Sequence, residues 1–308
     1  MRLLRRTALA AVIAALMTLM FGSWTRINGA GLTCPDWPLC HGRLVPSLAD
    51  GTLWEWAHRL LAFTVAPLLL ALIAIAWTQR RRSAFVTPLL AIVVAFFVVQ
   101  VFLGAETVRL GNAPISVALH WSAAMALIAA LSAMAAFASA AEGEARGVQD
   151  GASSSVPLWV MAATAALAFL TMCVGAYVSS SGAGLACLSI PSCAGNVVVY
   201  TPGQIVQMVH RAAAAVTLVA AATSIAVAWA YPCSRRLRFS AGTGAALVSV
   251  QIVLGLLNVA LHLPTQLREA HAINAALAFL GFFLATLFAA LDSAPLRMRP
   301  APESHAGR

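Results

Sequence analysis

Apolar residues fill this chain in long runs, and polar residues collect in the short stretches between them. Eight runs stand out, at about 7–24, 55–78, 84–105, 116–140, 157–178, 204–231, 240–261 and 269–291. Each is long enough to carry a helix across a bilayer. Runs of this length overshoot a tilted barrel strand, and only helices and closed barrels satisfy every backbone polar group in hydrocarbon. The pattern predicts an all-α integral membrane protein with eight transmembrane helices. The first run follows an Arg-rich start, as a secretory signal would. The fifth run stands in the same place before a second copy of one polar loop, so the first run is predicted to belong to the fold.

That polar loop reads GAGLTCPDWPLC at 29–40. It returns as GAGLACLSIPSC at 182–193, identical at seven of twelve positions and displaced by 153 residues. A second echo joins QVFLGAETVRLGNAPISVALH at 100–120 to QIVLGLLNVALHLPTQLREAH at 251–271, displaced by 151. It brings Gln100, Leu103, Gly104 and His120 onto Gln251, Leu254, Gly255 and His271. Between the echoes, EWAHR at 55–59 matches QMVHR at 207–211. A repeat of this kind is a duplicated structural unit. It predicts two pseudo-symmetric four-helix bundles, at 1–140 and 157–295. A polar, Gly/Ser-rich linker at 141–156 joins them, and a tail follows at 296–308. An even number of spans per unit leaves both in the same orientation, related by an axis along the membrane normal.

Composition adds one question. The chain is 61% hydrophobic and 9% charged, which excludes an ordinary soluble domain, yet its net charge is +9. Such an excess can signal nucleic-acid binding, but its distribution here points elsewhere. Every basic side chain is Arg. Most lie in clusters at Arg2, Arg5 and Arg6; Arg80, Arg81 and Arg82; Arg235, Arg236 and Arg238; and Arg297, Arg299 and Arg308. In the eight-span topology all of these fall on one side. Positive charge marks the cytoplasmic face, so both termini are expected there, with no role for nucleic acid. The chain has no Arg- and Ser-rich transit segment, so the bacterial plasma (inner) membrane is the expected location.

Four of the seven histidines occupy repeat-equivalent places: His58 and His120 in one unit, His210 and His271 in the other. Each is expected about one turn inside the outer end of an even-numbered span. A lone histidine there reads as an interfacial side chain reaching for water. Four at matched positions point to paired ligands in bundle interiors, where cofactor sites are built. Two neutral imidazoles are an axial set for haem iron. Zinc is the competing metal, but it takes four ligands, and each unit offers two histidines. His41, His262 and His305 receive no role.

Cys34 and Cys40, like Cys187 and Cys193, are separated by five residues on the Arg-poor side, which is the oxidising side in this topology. A disulfide is expected in each loop, pinning it over the outer end of its bundle with roughly 2 kcal/mol from ring closure. Cys173 and Cys233 have no repeat partners and read as free packing thiols.

One chemical difference separates the units. Glu55 stands three residues before His58, whereas Gln207 stands before His210. A carboxylate at that depth is a functional candidate, or an interfacial Glu paired with Arg59. Arg59 and Arg211 suit haem propionates or equally an interface anchor. Glu106 and Arg109 occur only in the first unit and read as interfacial.

With its two four-helix halves, GLTCPDWPLC, EWAHR, the two Q-x-x-L-G elements and the four helix histidines, the chain resembles the haem A synthase family, in the bacterial type with cysteine pairs in both long outer loops. The match covers nearly the whole chain. The resemblance implies an oxidoreductase that converts the methyl side group of haem O to the formyl group of haem A for terminal oxidases. Water would be the oxygen source, through two successive hydroxylations. It implies haem b held by His210 and His271, and the substrate haem near His58 and His120. Glu55 matches the family's essential carboxylate and Cys34/Cys40 its loop pair, while Cys187/Cys193 are present only in some members. The expected partners are haem O, membrane lipid, haem O synthase and oxidase assembly factors, and a homo-oligomer is compatible with the sequence. The electron acceptor stays open. A di-haem membrane electron-transfer cytochrome and a haem carrier or delivery protein are the alternatives; neither requires Glu55.

Overall fold

The computed structural model describes residues 1–81, 83–143, 154–193, 195 and 199–293. Arg82, most of the linker at 141–156, and the tail at 296–308 with Arg297, Arg299, His305 and Arg308 lie outside the described residues. Among the described residues eight helices are each long and apolar enough to cross a membrane: α1 (Arg2–Ile27), α2 (Thr52–Gln79), α3 (Val86–Arg109), α4 (Pro114–Gly143), α5 (Val156–Ser180), α6 (Pro202–Ala230), α7 (Arg235–Ala260) and α8 (Thr265–Ser293). The chain is an all-α, multi-pass membrane protein.

Helices α1, α2, α4, α5 and α8 run past their apolar runs at both ends, whereas α3 starts two residues inside its run and α6 and α7 each stop one residue short. Thr201 caps α6 with its hydroxyl on the Gln204 N–H, Gln204 reaches back to the Thr201 N–H, and Pro202 follows at the first helical position. Ser234 caps α7 through the Leu237 N–H. Gly29 and Gly182 end α1 and α5 at φ 74° and 73°, a left-handed turn that glycine takes without strain. The early starts correct one expectation. His58, His120, His210 and His271 lie six to eight residues inside α2, α4, α6 and α8, about two turns and not one.

Helices α1–α4 pack as one bundle and α5–α8 as another. Within them α1 meets α2 and α4, and α3 meets α4; α5, α6, α7 and α8 repeat that plan. Between bundles, α4 touches α5 and α8, and α1 touches α8. The α4–α5 contact maps onto α8–α1 under the repeat, as a pseudo-two-fold requires. Arg26 donates to Ser179 Oγ at 2.9 Å across 153 positions, so two repeat-equivalent residues meet each other, as residues close to such an axis do. The central helices α4 and α8 are the most enclosed. The largest core cluster runs through both bundles, from Leu72 and Met125 to Met172 and Phe279.

Candidate haem-ligand sites

The rings of His210 on α6 and His271 on α8 lie with centroids 6.4 Å apart and planes at 72°. Two imidazoles bonded at about 2 Å to one metal have centroids about 6 Å apart, since each centroid sits about 1 Å behind its nitrogen. The centroid spacing of the pair matches that distance. His210 Nδ1 lies 3.2 Å from the Thr171 carbonyl, and His58 Nδ1 lies 3.1 Å from the Thr18 carbonyl. A carbonyl only accepts, so each Nδ1 carries the proton and each Nε2 keeps its lone pair for a metal. Such a second contact also fixes the ring's orientation. Nδ1 of His120 and of His271 is buried without a hydrogen-bond partner. No three or more His, Cys, Asp or Glu side chains converge on one point among the described residues, so no four-ligand zinc site is built there.

A glycine on the preceding helix faces each of the four rings. A Cβ on Gly22 would lie 2.5 Å from His58 Cε1, on Gly175 2.8 Å from His210 Cε1, on Gly104 3.1 Å from His120 Cε1, and on Gly255 3.3 Å from His271 Cε1. Sequence reasoning named Gly104 and Gly255 only as repeat matches and missed Gly22 and Gly175. The 153-residue offset carried the signal, because 22 and 175 differ by that number.

Both long loops are closed by disulfides, Cys34–Cys40 and Cys187–Cys193. Each is also clamped to its even-numbered helix. Arg59 donates to the carbonyls of Cys34, Asp36 and Leu39. Arg211 donates to those of Cys187, Ser189 and Ser192, the same three places in the repeat. Loop clamping is thus a task of these arginines beyond propionate contact or interface anchoring. Glu55 is buried. Its Oε2 accepts from the Cys34 N–H at 2.8 Å and the Thr33 hydroxyl at 3.1 Å, and its Oε1 pairs with Arg59 at 2.6 Å. Gln207 likewise accepts from the Cys187 N–H, at 2.6 Å, and donates to the Gly184 carbonyl. Both side chains tether the loop, Glu55 through a carboxyl group and Gln207 through an amide.

Glu106 and Arg109 pair with each other at 2.8 Å at the exposed end of α3. Cys173 and Cys233 are free, and the Ser122 hydroxyl lies 2.9 Å from Cys173 Sγ. A second buried carboxylate escaped the sequence reading. Glu269, two residues before His271, accepts from the Ser23 hydroxyl at 2.7 Å, across the junction of α8 and α1. An ionisable residue in an apolar run was the available signal.

Comparison with known proteins agrees with this architecture. The chain is 28% identical over 294 residues to "Heme A synthase" of Bacillus pumilus, covering 94% of this chain and 92% of that protein. It is 28% identical over 316 residues to "Heme A synthase" of Geobacillus thermodenitrificans, covering 100% and 96%. The Bacillus licheniformis protein of the same name is 27% identical over 284 residues, covering 91% and 90%. The sequence profile of COX15-CtaA, described as "Cytochrome oxidase assembly protein", matches residues 5–52 and 48–283, and the chain belongs to that family.

Proposed function

We propose that this protein is a haem A synthase that oxidises the methyl side group of haem O to a formyl group. The reading is carried by one observation: four glycine-backed histidines in two matched pairs, one of them spaced for a single iron. Family membership and the names of the relatives support the same reaction class.

The two halves divide the work. His210 and His271 would hold a resident haem b, which supplies reversible one-electron chemistry when bound. His58 and His120 would receive the substrate, haem O. Turning a methyl group into a formyl group with oxygen from water releases four electrons and four protons, in two hydroxylations followed by loss of water. The α1–α4 half therefore needs a proton acceptor, and Glu55 is a buried carboxylate three residues before His58. It pairs with Arg59 and is buried away from bulk water. The disulfide loop above it limits access from the aqueous side. The Arg clusters at the opposite end of the bundles support cytoplasmic termini and reaction sites near the outer face of a bacterial inner membrane. Haem O synthase and oxidase assembly factors are the expected neighbours.

The test is mass analysis of haems from cells expressing this chain with a haem O source. Haem A and its hydroxylated precursor should appear, and should vanish in His58→Ala and His120→Ala. His210→Ala and His271→Ala should remove the resident haem spectrum. Bound haem with no formyl product in the wild type would instead favour an electron-transfer cytochrome or a haem carrier.

A further inference from the structure

The two histidine pairs differ in how a neighbouring glutamine is held. In the α5–α8 half, Gln251 on α7 has both ends of its amide engaged. Its Nε2 donates to the His271 carbonyl at 2.9 Å, and its Oε1 accepts from Asn274 Nδ2 at 2.7 Å. Asn274 is buried and also donates to the Leu247 carbonyl at 2.8 Å. In the α1–α4 half the equivalent Gln100 is not held. Position 123, equivalent to 274, is alanine. Gln100 Oε1 is buried without a partner, and Gln100 Nε2 instead lies 3.4 Å from His120 Nε2, the ring nitrogen available to a metal.

We propose that Gln100 is a built-in competitor for His120 that makes the α1–α4 site an exchange site, and that Asn274 holds Gln251 away from His271 so that the α5–α8 site retains its haem. The inference rests on the reading that the histidine pairs bind haem. An amide N–H donates to the lone pair that would otherwise bind iron, so the emptied histidine is not left bare. This lowers the cost of releasing the ligand bond. For Gln251 the same swing would break two hydrogen bonds and leave the buried Asn274 amide with only its bond to the Leu247 carbonyl, a cost that opposes it. A substrate half must discharge product at every turnover, whereas an electron-transfer half must keep its cofactor. Gln100 and Asn274 are positioning residues, since they act through the histidines.

The experiment is haem loss from the purified full-length protein to excess apo-globin, followed by absorbance. Wild type should show a fast phase that disappears in His58→Ala and a slow phase that disappears in His210→Ala. If neither phase answers to these histidines, the haem-site reading fails first. Asn274→Ala should accelerate the slow phase about two- to tenfold, the range for one net hydrogen bond. Adding Gln251→Leu should restore slow loss, because the freed competitor is gone. Gln100→Leu should slow the fast phase by a similar factor. An unchanged slow phase in Asn274→Ala, acceleration that persists in the double variant, or an unchanged fast phase in Gln100→Leu would each overturn the proposal. A packing role for Asn274 predicts no rescue, so the double variant decides even if the single variant binds haem poorly.

Discussion

The α1–α4 and α5–α8 halves share a plan down to single hydrogen bonds, so their few differences stand out against it. Each arginine clamp takes the same three loop carbonyls. In each half the first histidine gives Nδ1 to a carbonyl on the preceding helix. Against that background the first half has Glu55 for Gln207 and Asp36 for Ser189, and it lacks Asn274. What the halves share holds the loops and the rings. What they do not share is charge beside the loop and restraint beside the ring, the properties in which a reacting site and a storage site should differ.

The largest expected effect comes from erasing the charge difference. Glu55→Gln writes the second half's residue into the first. Gln207 shows that an amide at this place still accepts the N–H of the first loop cysteine. Arg211 shows that the clamping arginine holds its carbonyls without pairing with a carboxylate among the described residues. Breaking a buried ion pair commonly costs about 3–5 kcal/mol, but the second half supplies a working arrangement without one. Glu55→Gln should therefore fold and keep its resident haem. Loss of general-base assistance should reduce haem A formation about 10²–10⁴-fold, with haem O or its hydroxylated form accumulating in mass analysis. Wild-type product levels would reduce Glu55 to a loop tether, the task Gln207 performs.

Much of this comparison could be read from sequence, and what could not has physical causes. The paired histidines, the loop cysteines and Glu55 against Gln207 emerged from the repeat alone, at offsets of 151 to 153. The arginine clamps did not, because their acceptors are backbone carbonyls, which every residue has. Gly22 and Gly175 were hidden among small residues of apolar helices, where nothing in hydropathy marks a glycine that faces a ring. Glu269 meets Ser23 across 246 positions, and no local pattern encodes so distant a contact. Asn274 was legible only as a missing match, a polar residue in one half where the other has Ala123.

The glycines give an intermediate effect with an internal ranking. In both halves the glycine facing the first histidine is the tighter, 2.5 and 2.8 Å at Gly22 and Gly175 against 3.1 and 3.3 Å at Gly104 and Gly255. Overpacking costs about 1–3 kcal/mol where neighbours cannot yield. Gly175→Ala should displace the His210 ring and weaken haem retention markedly, read as lost haem content and an altered optical spectrum. Gly255→Ala should keep most of its haem. Gly22→Ala should impair product formation more than Gly104→Ala. Equal losses from the tight and loose positions would show that ring placement is not what these glycines protect.

The smallest effect separates the two loops by pH. Asp36 accepts the Gly42 N–H at 2.8 Å and the His41 N–H at 2.6 Å, and these bonds, the Gly42 one foremost, hold its carboxyl below the ordinary carboxylate range. In the second loop Ser189 accepts the equivalent Gly195 N–H at 2.9 Å through a hydroxyl that does not titrate. A carboxyl whose folded pKa is depressed contributes stability above its unfolded value and loses it as pH falls through the folded one. Acidification below the ordinary carboxylate range should thus speed hydrogen exchange at Gly42 while leaving Gly195 nearly unchanged apart from the intrinsic rate. The side chain is half-buried and bonds only within its own loop, so the change should stay there and leave haem content alone. Asp36→Ser should remove the difference and give the first loop the pH response of the second. If Gly42 and Gly195 respond alike in the wild type, the carboxylate adds nothing that the hydroxyl does not, and the loops are equivalent in this respect.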